Sequence, residues 1–234
     1  MTSTRKLIVN ADDFGLSAGI NRGVAVARER GVVTSASFMV RCPDALPAAA
    51  SARRWSGFSI GLHLDLGEWR NGDAGWQPYY ERVSIADADA VAAEIDAQLN
   101  AFRALVGRDP THIDSHQHVH LREPVRQLML ERGARLGVPI RGLLGDAQYR
   151  GAFYGQHRDG KPYPEAISRE GFLAVASVPQ ASLIEVGCHP AAEVDFESMY
   201  GIERVRELEV LCDPQLRAAL VEAGFELASF DDPA

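Results

Sequence analysis

The chain has 234 residues, and its content of 46% apolar and 24% charged residues is that of an ordinary globular protein. A net charge of −8, with basic residues scattered among acidic ones, argues against nucleic acid as a partner. The three cysteines form no CxxC pair, which disfavours a disulfide framework, and no apolar run reaches the roughly 18 residues of a membrane span. We therefore expect a cytoplasmic protein without a signal peptide, with one domain over residues 1–234.

The first part of the chain alternates short apolar runs with helical patterns, as in a parallel α/β domain. Asp12 and Asp13 directly follow the first predicted strand, and His63 lies near the end of the third. Such strand ends carry the chemistry in α/β folds, and the alternative explanation of the two acids is a turn with a helix cap. The predicted strands cover 6–10, 32–40 and 58–64, and the predicted helices cover 17–31, 43–53 and 87–106.

Four of the seven histidines lie within the stretch 112–120, which is predicted to be a strand. Side chains alternate along a strand, so one face would carry these histidines together with one acid. Buried polar groups need partners, and a divalent metal is the most economical partner for imidazoles and a carboxylate. The alternative is a run of exposed or hydrogen-bonded histidines at a strand end. The residues expected on this face are His112, Asp114, His116, His118 and His120.

The second part of the chain continues the alternation of strands and helices. Arg141 ends a short predicted strand, where it could orient a catalytic carboxylate through a bidentate pair or form an ordinary structural ion pair. About seven parallel strands result, which favours barrel-like closure over an open sheet. The remaining predictions are helices over 123–136, 170–176, 202–211 and 214–223, strands over 138–141, 182–188 and 225–230, and an insertion over 142–164.

Residues 67–80 are predicted to be a long loop that carries four aromatic side chains. Rings near an active site can stack on the apolar face of a sugar, or they can pin the loop to the body of the protein by burying area. The sequence leaves both interpretations open. The four residues are Trp69, Trp76, Tyr79 and Tyr80.

Acids and histidines from four predicted strands lie at or just beyond the carboxyl ends of those strands. In a parallel barrel these ends meet on one face. A carboxylate with two imidazoles and open coordination positions is typical of a catalytic divalent-metal site that holds water and substrate. The residues concerned are Asp12, Asp13, His63, His116 and His189.

Six segments, taken in chain order, resemble the YdjC-like carbohydrate deacetylases, the family that includes the chitooligosaccharide deacetylases. They are IVNADDFGLSAGINRGV at 8–24, VVTSASFMV at 32–40, IGLHLDL at 60–66, THIDSHQHVHL at 111–121, FYG at 153–155 and EVGCHP at 185–190. The resemblance implies a distorted TIM-like (β/α) barrel and hydrolysis of an N-acetyl group from an acetylated amino sugar. Residues 67–80 and 156–181 match none of the family pattern, and we expect them to select the substrate.

The resemblance also implies roles for individual residues. A divalent ion, Mg²⁺ or Zn²⁺, would be held by Asp13, His63 and His116, with Asp12 as general base. His189 would be the general acid, or it would bind the acetyl or leaving group. Relatives suggest a homodimer. The resemblance leaves substrate-binding or supporting contacts to His112, Asp114, His118, His120, Arg141 and Tyr154, and Asp114 could fix the tautomer of a ligating histidine.

Two other functions stay open from the residues. A metal-dependent phosphoesterase could use a similar barrel site, but it usually needs more metal ligands and a basic residue for phosphate, for which Arg141 is the candidate. A non-catalytic sugar- or metal-binding protein would not need a carboxylate beside the metal ligand. Neighbouring side chains point apart in a regular strand, so Asp12 and Asp13 can both serve one site only through a local turn. The exact sugar and the metal are not determined by the sequence.

Overall fold

A curled parallel sheet forms the centre of the computed structural model, which describes residues 5–72, 75–157 and 159–232. Seven strands are ordered β6-β3-β2-β1-β8-β7, with β9 pairing the start of β1, and every pairing among them is parallel. The predicted parallel, distorted barrel is confirmed. The strands are β1 (Arg5–Phe14), β2 (Ser35–Phe38), β3 (Ser59–Leu64), β4 (Gly67–Gly72), β5 (Gly75–Glu81), β6 (Ile113–Ser115), β7 (Gln148–Arg150), β8 (Leu183–Cys188) and β9 (Phe225–Leu227).

Helices alternate with these strands along the chain. The first helix begins where the sequence predicted, because the Ser17 side chain accepts a hydrogen bond from the Ile20 backbone N–H at 3.2 Å. No helix of the described residues has both the length and the apolar character that crossing a membrane would require. The helices are α1 (Ala18–Arg30), α2 (Ala45–Ala52), α3 (Ala88–Val106), α4 (Val125–Leu136), α5 (Arg169–Ala176), α6 (Ile202–Leu211) and α7 (Pro214–Glu222).

The core lies between the sheet and the helices, and strands β2 and β3 are buried along their whole length. Phe14 at the end of β1 lies 5.8 Å from Phe38 between ring centroids, and Phe38 lies 6.0 Å from Phe102 of α3. Aromatic pairs at such distances add to the stability that burial alone provides. This packed layer leaves the polar side chains to gather at the carboxyl ends of the strands.

The strand predicted over 112–120 is wrong beyond Ser115. A 3-10 segment, His116–Leu121, follows β6, and within it Gln117 and His118 adopt the left-handed conformation with φ of 49° and 53°. The turn is closed by Ser115, whose hydroxyl oxygen accepts a hydrogen bond from the His120 backbone N–H at 3.0 Å. The alternation of side chains between the two faces of the strand therefore ends at Ser115. The five residues that were predicted to share one face of a strand do not do so.

Three further predictions are corrected. The loop predicted over 67–80 is wrong for the described residues 67–72 and 75–80, because β4 and β5 pair there as an antiparallel hairpin. Residues 138–141 are not a strand: only isolated bridges at Ile140 connect this stretch to Ile113 and Leu144. The seventh strand of the large sheet instead comes from the predicted insertion, where β7 pairs with β8. A three-residue edge strand is too short to produce a readable alternation.

Candidate active site

The carboxyl end of β1 contains a bulge, where three residue steps on β1 match two on β2. Asp13 lies in this bulge and has the left-handed backbone conformation, with φ of 64°. A bulge of this kind redirects the side chains of its strand. The side chains of Asp12 and Asp13 therefore lie near the same residue, His63, instead of pointing apart. Each places a carboxylate oxygen within 4.8 Å of a His63 nitrogen.

Asp13, His63 and His116 offer one carboxylate oxygen and two imidazole nitrogens that lie within 4.8 Å of one another. Asp13 Oδ1 is 3.3 Å from His63 Nε2 and 3.1 Å from His116 Nδ1. One carboxylate and two imidazoles form a donor set that suits a catalytic divalent ion and leaves coordination positions open. These residues therefore fit the metal that the sequence pattern implies.

The His63 ring is oriented from its other side by Asp114. His63 Nδ1 is 2.7 Å from Asp114 Oδ1, and a carboxylate on this nitrogen fixes the ring with Nε2 toward Asp13. Burial disfavours the imidazolium, but Asp114, Asp13 and Asp12 together raise the pKa of His63 to about 10. A histidine binds a cation through a deprotonated nitrogen, so metal binding at Nε2 would release a proton from the His63 imidazolium.

The second oxygen of Asp13 is held by an arginine from α6. Arg204 donates from Nη2 to Asp13 Oδ2 at 2.7 Å, and both side chains are buried. Burial alone would raise the pKa of Asp13, but Arg204, His116 and His63 outweigh it and bring this pKa well below its ordinary value. Asp13 is thus a carboxylate at neutral pH, as a metal ligand must be.

Arg141 forms a bidentate pair with Asp12, the contact that the first of the two alternatives required. Its Nη1 is 2.6 Å from Asp12 Oδ2 and its Nη2 is 2.7 Å from Asp12 Oδ1. The same guanidinium lies 2.6 Å from Asp114 Oδ2 and 2.6 Å from Glu185 Oε1. Burial opposes ionisation of Asp12, but Arg141 lowers its pKa below the ordinary value.

His189 lies on the other side of Asp12, with 3.9 Å between His189 Nε2 and Asp12 Oδ2. Glu207 accepts hydrogen bonds from the His189 backbone N–H and from the Tyr200 hydroxyl, and its Oε1 is 3.7 Å from His189 Nδ1. Burial would lower the pKa of His189, but the negative charges of Glu207 and Asp12 raise it. Tyr154 packs edge-on against the His189 ring at 5.3 Å and stacks on Tyr200 at 4.1 Å.

His112 is buried away from the candidate metal ligands and supports them indirectly. Its ring stacks on Phe230 with 3.8 Å between centroids, and its Nε2 is 3.1 Å from Ser37 Oγ. The Ser37 hydroxyl in turn donates to Asp114 Oδ2 at 2.7 Å. Because Asp114 holds His63, this chain of hydrogen bonds connects His112 to a candidate ligand.

His118 and His120 have hydrogen-bond partners outside the set of candidate metal ligands. His120 is fixed at both nitrogens, with Nδ1 2.6 Å from Ser115 Oγ and Nε2 3.1 Å from the Arg141 carbonyl oxygen. His118 Nε2 is 3.3 Å from the Tyr149 hydroxyl. Neither histidine joins the cluster of candidate metal ligands among the described residues.

Two of the four hairpin aromatics anchor the hairpin to the body of the protein, and the other two are exposed. Trp69 packs against the core, and the Tyr80 hydroxyl donates to Asp65 at 2.9 Å, so these two rings hold the hairpin in place. Trp76 and Tyr79 are 53% and 55% exposed. One face of Tyr79 is covered by the Arg70 guanidinium at 3.4 Å, which leaves Trp76 as the more available ring.

The hairpin is joined to the candidate metal site through Gln117. The Trp69 backbone N–H donates to Gln117 Oε1 at 2.9 Å, and Gln117 Nε2 donates to the Trp69 carbonyl oxygen at 2.8 Å. The side-chain amide thus pairs with β4 as a neighbouring strand would. Gln117 directly follows His116, so the position of the hairpin and the position of a candidate ligand are linked.

Five functional candidates were missed by the sequence interpretation: Gln117, Tyr149, Glu185, Arg204 and Glu207. A signal existed for the last two. They lie three residues apart on α6, on the same buried face as Leu211, and charged residues on the core face of a helix are unusual. Glu185 carried a similar signal, since it interrupts the apolar run of β8.

The model of the YdjC-like protein family matches residues 6–222. A chitooligosaccharide deacetylase from Serratia marcescens is 37% identical over 262 aligned residues, which cover 97% of this chain and 98% of that protein.

Two solved structures show similar folds. An Enterococcus faecalis protein, described as a proposed cellobiose-phosphate cleavage protein, is 26% identical with a TM-score of 0.78 and 98% coverage of both chains. A family 4 carbohydrate esterase from Streptomyces lividans, solved with acetate, shares the fold at 13% identity with a TM-score of 0.56, covering 96% of this chain and 91% of that one. Since the family model and the Serratia relative both extend over nearly all of its length, this chain belongs to the YdjC-like protein family.

Proposed function

We propose that this protein is a metal-dependent carbohydrate N-deacetylase, which hydrolyses the N-acetyl group of an acetylated amino sugar such as a chitooligosaccharide. One observation carries the proposal: two adjacent carboxylates reach one site with different partners. Asp13 contacts two imidazoles, whereas Asp12 is paired with Arg141 and stays outside that ligand set. A site that only bound a metal would not need the second carboxylate. The name of the Serratia relative supports the same activity.

Asp13, His63 and His116 would hold the ion, and we assign it as Zn²⁺ or Mg²⁺. Imidazole ligands favour zinc, and the carboxylate suits either ion. When bound, a divalent ion lowers the pKa of water and polarises a carbonyl, which an amide substrate needs because it is a poor electrophile. Asp114 and Arg204 keep the ligands in place from behind, through His63 and Asp13 respectively.

Asp12 is the proposed general base. It is ionised because the Arg141 guanidinium lowers its pKa, and the bidentate pair fixes both oxygens. An ionised carboxylate of fixed orientation can accept the proton of an attacking water molecule. Arg141 pairs with Asp12 and not with the proposed ligands Asp13, His63 and His116 of the described structure, so it acts on the reaction through Asp12.

His189 is the proposed general acid. The amine that leaves from a tetrahedral intermediate departs poorly unless it is protonated. Glu207 and Asp12 raise the pKa of His189, so the imidazolium is available at a higher pH than for an ordinary histidine. His189 Nε2 lies 3.9 Å from Asp12 Oδ2. We therefore assign these two neighbouring side chains as the acid and the base of one reaction.

The alternative phosphoesterase function loses its main support. Its candidate phosphate-binding residue was Arg141, but this guanidinium already contacts three carboxylates: Asp12, Asp114 and Glu185. A phosphate would have to compete with all three. The proposed deacetylase uses this cation to keep Asp12 ionised and needs no positive charge free for the substrate.

The direct test is release of acetate from N,N′-diacetylchitobiose by the purified protein, before and after treatment with a chelator and after Zn²⁺ or Mg²⁺ is added back. We expect release that the chelator abolishes and the ion restores. A protein that binds metal but releases no acetate from this or other N-acetylated sugars would contradict the proposed activity. A protein that binds no divalent ion would contradict the ligand assignment.

A further inference from the structure

The side chain of Asn10 is a second hydrogen-bond donor to Asp12, besides Arg141. Asn10 lies on β1, is completely buried, and its Nδ2 donates to Asp12 Oδ1 at 2.8 Å. An ionised carboxylate only accepts hydrogen bonds, so the amide turns its NH₂ group toward Asp12 and its oxygen away. That oxygen accepts a hydrogen bond from the Ser35 hydroxyl at 2.7 Å. The orientation of the Asn10 amide is therefore fixed from both ends.

The contacts of Asp12 distinguish its two oxygens. Oδ1 accepts hydrogen bonds from Asn10 Nδ2 and from Arg141 Nη2, at 2.8 and 2.7 Å. Oδ2 accepts one from Arg141 Nη1 at 2.6 Å, has no second donor among the described residues, and lies 3.9 Å from His189 Nε2. Because two donors occupy Oδ1, it is Oδ2 that keeps a lone pair able to take up a proton.

The other hydrogen of the Asn10 amide is directed to Ser37 on β2. Asn10 Nδ2 lies 2.8 Å from Ser37 Oγ, and the Ser37 hydroxyl donates to Asp114 Oδ2 at 2.7 Å. Asp114 in turn holds the ring of His63, a proposed metal ligand. A single hydroxyl group therefore contacts both the residue that positions the base and the residue that positions a ligand.

His112 completes the hydrogen bonding of the Ser37 hydroxyl. A hydroxyl group has one proton and two lone pairs, and Ser37 directs its proton to Asp114. Burial lowers the pKa of His112 to about 3, so this ring is neutral and carries one proton. Since Ser37 has no second proton to give, the proton of His112 lies on Nε2, 3.1 Å from Ser37 Oγ, and Nδ1 accepts from the Thr111 hydroxyl at 2.9 Å. Asn10 and His112 thus occupy both lone pairs of Ser37, and the direction of its proton is fixed.

A glycine allows Ser37 to reach across a neighbouring strand. Ser37 on β2 is in register with Gly61 on β3, whereas Asp114 belongs to β6 on the far side of β3. A Cβ atom at position 61 would collide with the ring of His112, which directly precedes β6. Glycine within a strand often marks such a close approach. The space in which these side chains meet is therefore provided by the sequence of β3.

We propose that Ser37 is a positioning residue for both halves of the reaction site. Through Asn10 it orients the base, Asp12. Through Asp114 it orients the metal ligand His63. The inference rests on the proposed deacetylase function and deepens it, because it assigns Oδ2 of Asp12 as the atom that accepts the proton of the attacking water. The base and a ligand are oriented by the same hydroxyl group, so loss of that group should affect both.

The test compares three alanine variants. Ser37→Ala removes the shared hydroxyl, and Ser35→Ala removes only the partner of the Asn10 oxygen. Ser59→Ala is the matched control, since Ser59 is also a completely buried strand serine and its hydroxyl pairs with a different aspartate, Asp231. All proteins are measured at a temperature at which circular dichroism shows them folded. Should Ser37→Ala not fold, Ser37→Cys takes its place, because a thiol is a weak donor of similar shape.

Two measurements separate the two roles of Ser37. Calorimetric titration of the metal-free proteins with Zn²⁺ and with Mg²⁺ gives Kd without any substrate, and acetate release from N,N′-diacetylchitobiose at saturating metal gives kcat and KM. For Ser37→Ala we expect Kd to rise and kcat to fall by about tenfold or more each, the usual effect of removing a partner that orients a metal ligand. KM should stay unchanged. Ser35→Ala should lower kcat and keep the wild-type Kd, and Ser59→Ala should keep both.

Several results would overturn the inference. A wild-type Kd or a wild-type kcat in Ser37→Ala would contradict the shared role, and a wild-type kcat in Ser35→Ala would contradict the part played by Asn10. An equal rise of Kd in Ser37→Ala and in either of the other variants would also contradict it, because the effect would then not pass through Asp114. If the wild type binds metal but releases no acetate, the proposed activity is contradicted, and the calorimetry still decides whether Ser37 orients His63.

Discussion

Arg141 donates hydrogen bonds to both carboxylate oxygens of Asp12, at 2.6 and 2.7 Å. The next residue, Asp13, contacts His63 and His116 instead. Asp12 and Asp13 are thus adjacent in the chain but have different partners. The pairing keeps Asp12 ionised and engages both of its oxygens, so we place Asp12 outside the proposed ligand set of Asp13, His63 and His116, and this assignment leads to the first prediction.

Asp12→Asn should remove the general base and leave the metal ligands unchanged. We expect kcat for acetate release to fall by about 10²–10⁴-fold, the usual contribution of a positioned base. Metal content, measured by elemental analysis, should equal that of the wild type because Asp13, His63 and His116 are intact. A variant that lost its metal, or one that kept more than a tenth of the wild-type kcat, would show that the two acids have other roles.

Metal binding should stabilise the fold, and His63→Ala should abolish that effect. A ligand present at 100 times its Kd adds about 2.7 kcal/mol to the free energy of unfolding. We therefore expect Tm of the wild type to rise on addition of Zn²⁺ or Mg²⁺ and to fall again with a chelator. His63→Ala should show no such response. His157→Ala, at an exposed histidine outside the cluster, should respond as the wild type does.

Glu207→Gln should shift the pH dependence of activity. His189 must be protonated to act as an acid, so activity declines as pH rises through the pKa of His189. Glu207 is one of the groups that raise this pKa, so its neutralisation should move the alkaline limb of the kcat profile to lower pH. Glu209→Gln, at an exposed position on the same helix, should leave the limb in place. An unchanged limb in Glu207→Gln would exclude His189 as the general acid.

Glu185→Gln should reduce the pH dependence of stability. Burial, opposed by Arg141 but assisted by Asp114 and Asp12, raises the pKa of Glu185 to about 7 in the folded protein, compared with 4.5 for the free side chain. The folded state therefore binds a proton that the unfolded state releases, and this stabilisation is complete below pH 4.5 and lost as pH rises to about 7.

Urea unfolding at pH 5 and pH 8 checks this assignment. The wild type should lose a few kcal/mol of unfolding free energy between the two pH values through this group, on the scale of 1.36 kcal/mol per pKa unit. The Glu185→Gln variant should lose less. A variant with the same slope as the wild type would show that other groups, such as the histidines, dominate the dependence.

Sequence patterns predicted the elements that carry the acids and histidines better than they predicted the arrangement of those residues. The positions of Asp12, His63 and His189 at strand ends follow from apolar runs, which are local signals. The separation of His118 and His120 from His116 could not be predicted, because it depends on two consecutive left-handed residues at 117 and 118, a conformation that non-glycine residues rarely adopt.

Long-range contacts account for most of what the sequence did not reveal. Arg204 meets Asp13 across 191 positions of the chain, and Arg141 meets Asp12 across 129. Neither pair produces a periodic pattern, so only the burial of a charged residue in a helix could have pointed to Arg204. For Arg141 the sequence allowed a bidentate pair with a carboxylate or an ordinary structural ion pair. The folded protein contains both contacts, since the bidentate pair with Asp12 is part of a buried ion-pair network.

The link between Gln117 and Trp69 uses only main-chain atoms of the hairpin. An anchor of this kind does not depend on which side chains the hairpin carries. Residues of β4 and β5 other than Trp69 and Tyr80, whose side chains also hold the hairpin, can therefore be exchanged while the attachment beside His116 is retained. The exposed hairpin positions Trp76 and Tyr79 are therefore the places to vary when the substrate selection that we expect of residues 67–80 is tested.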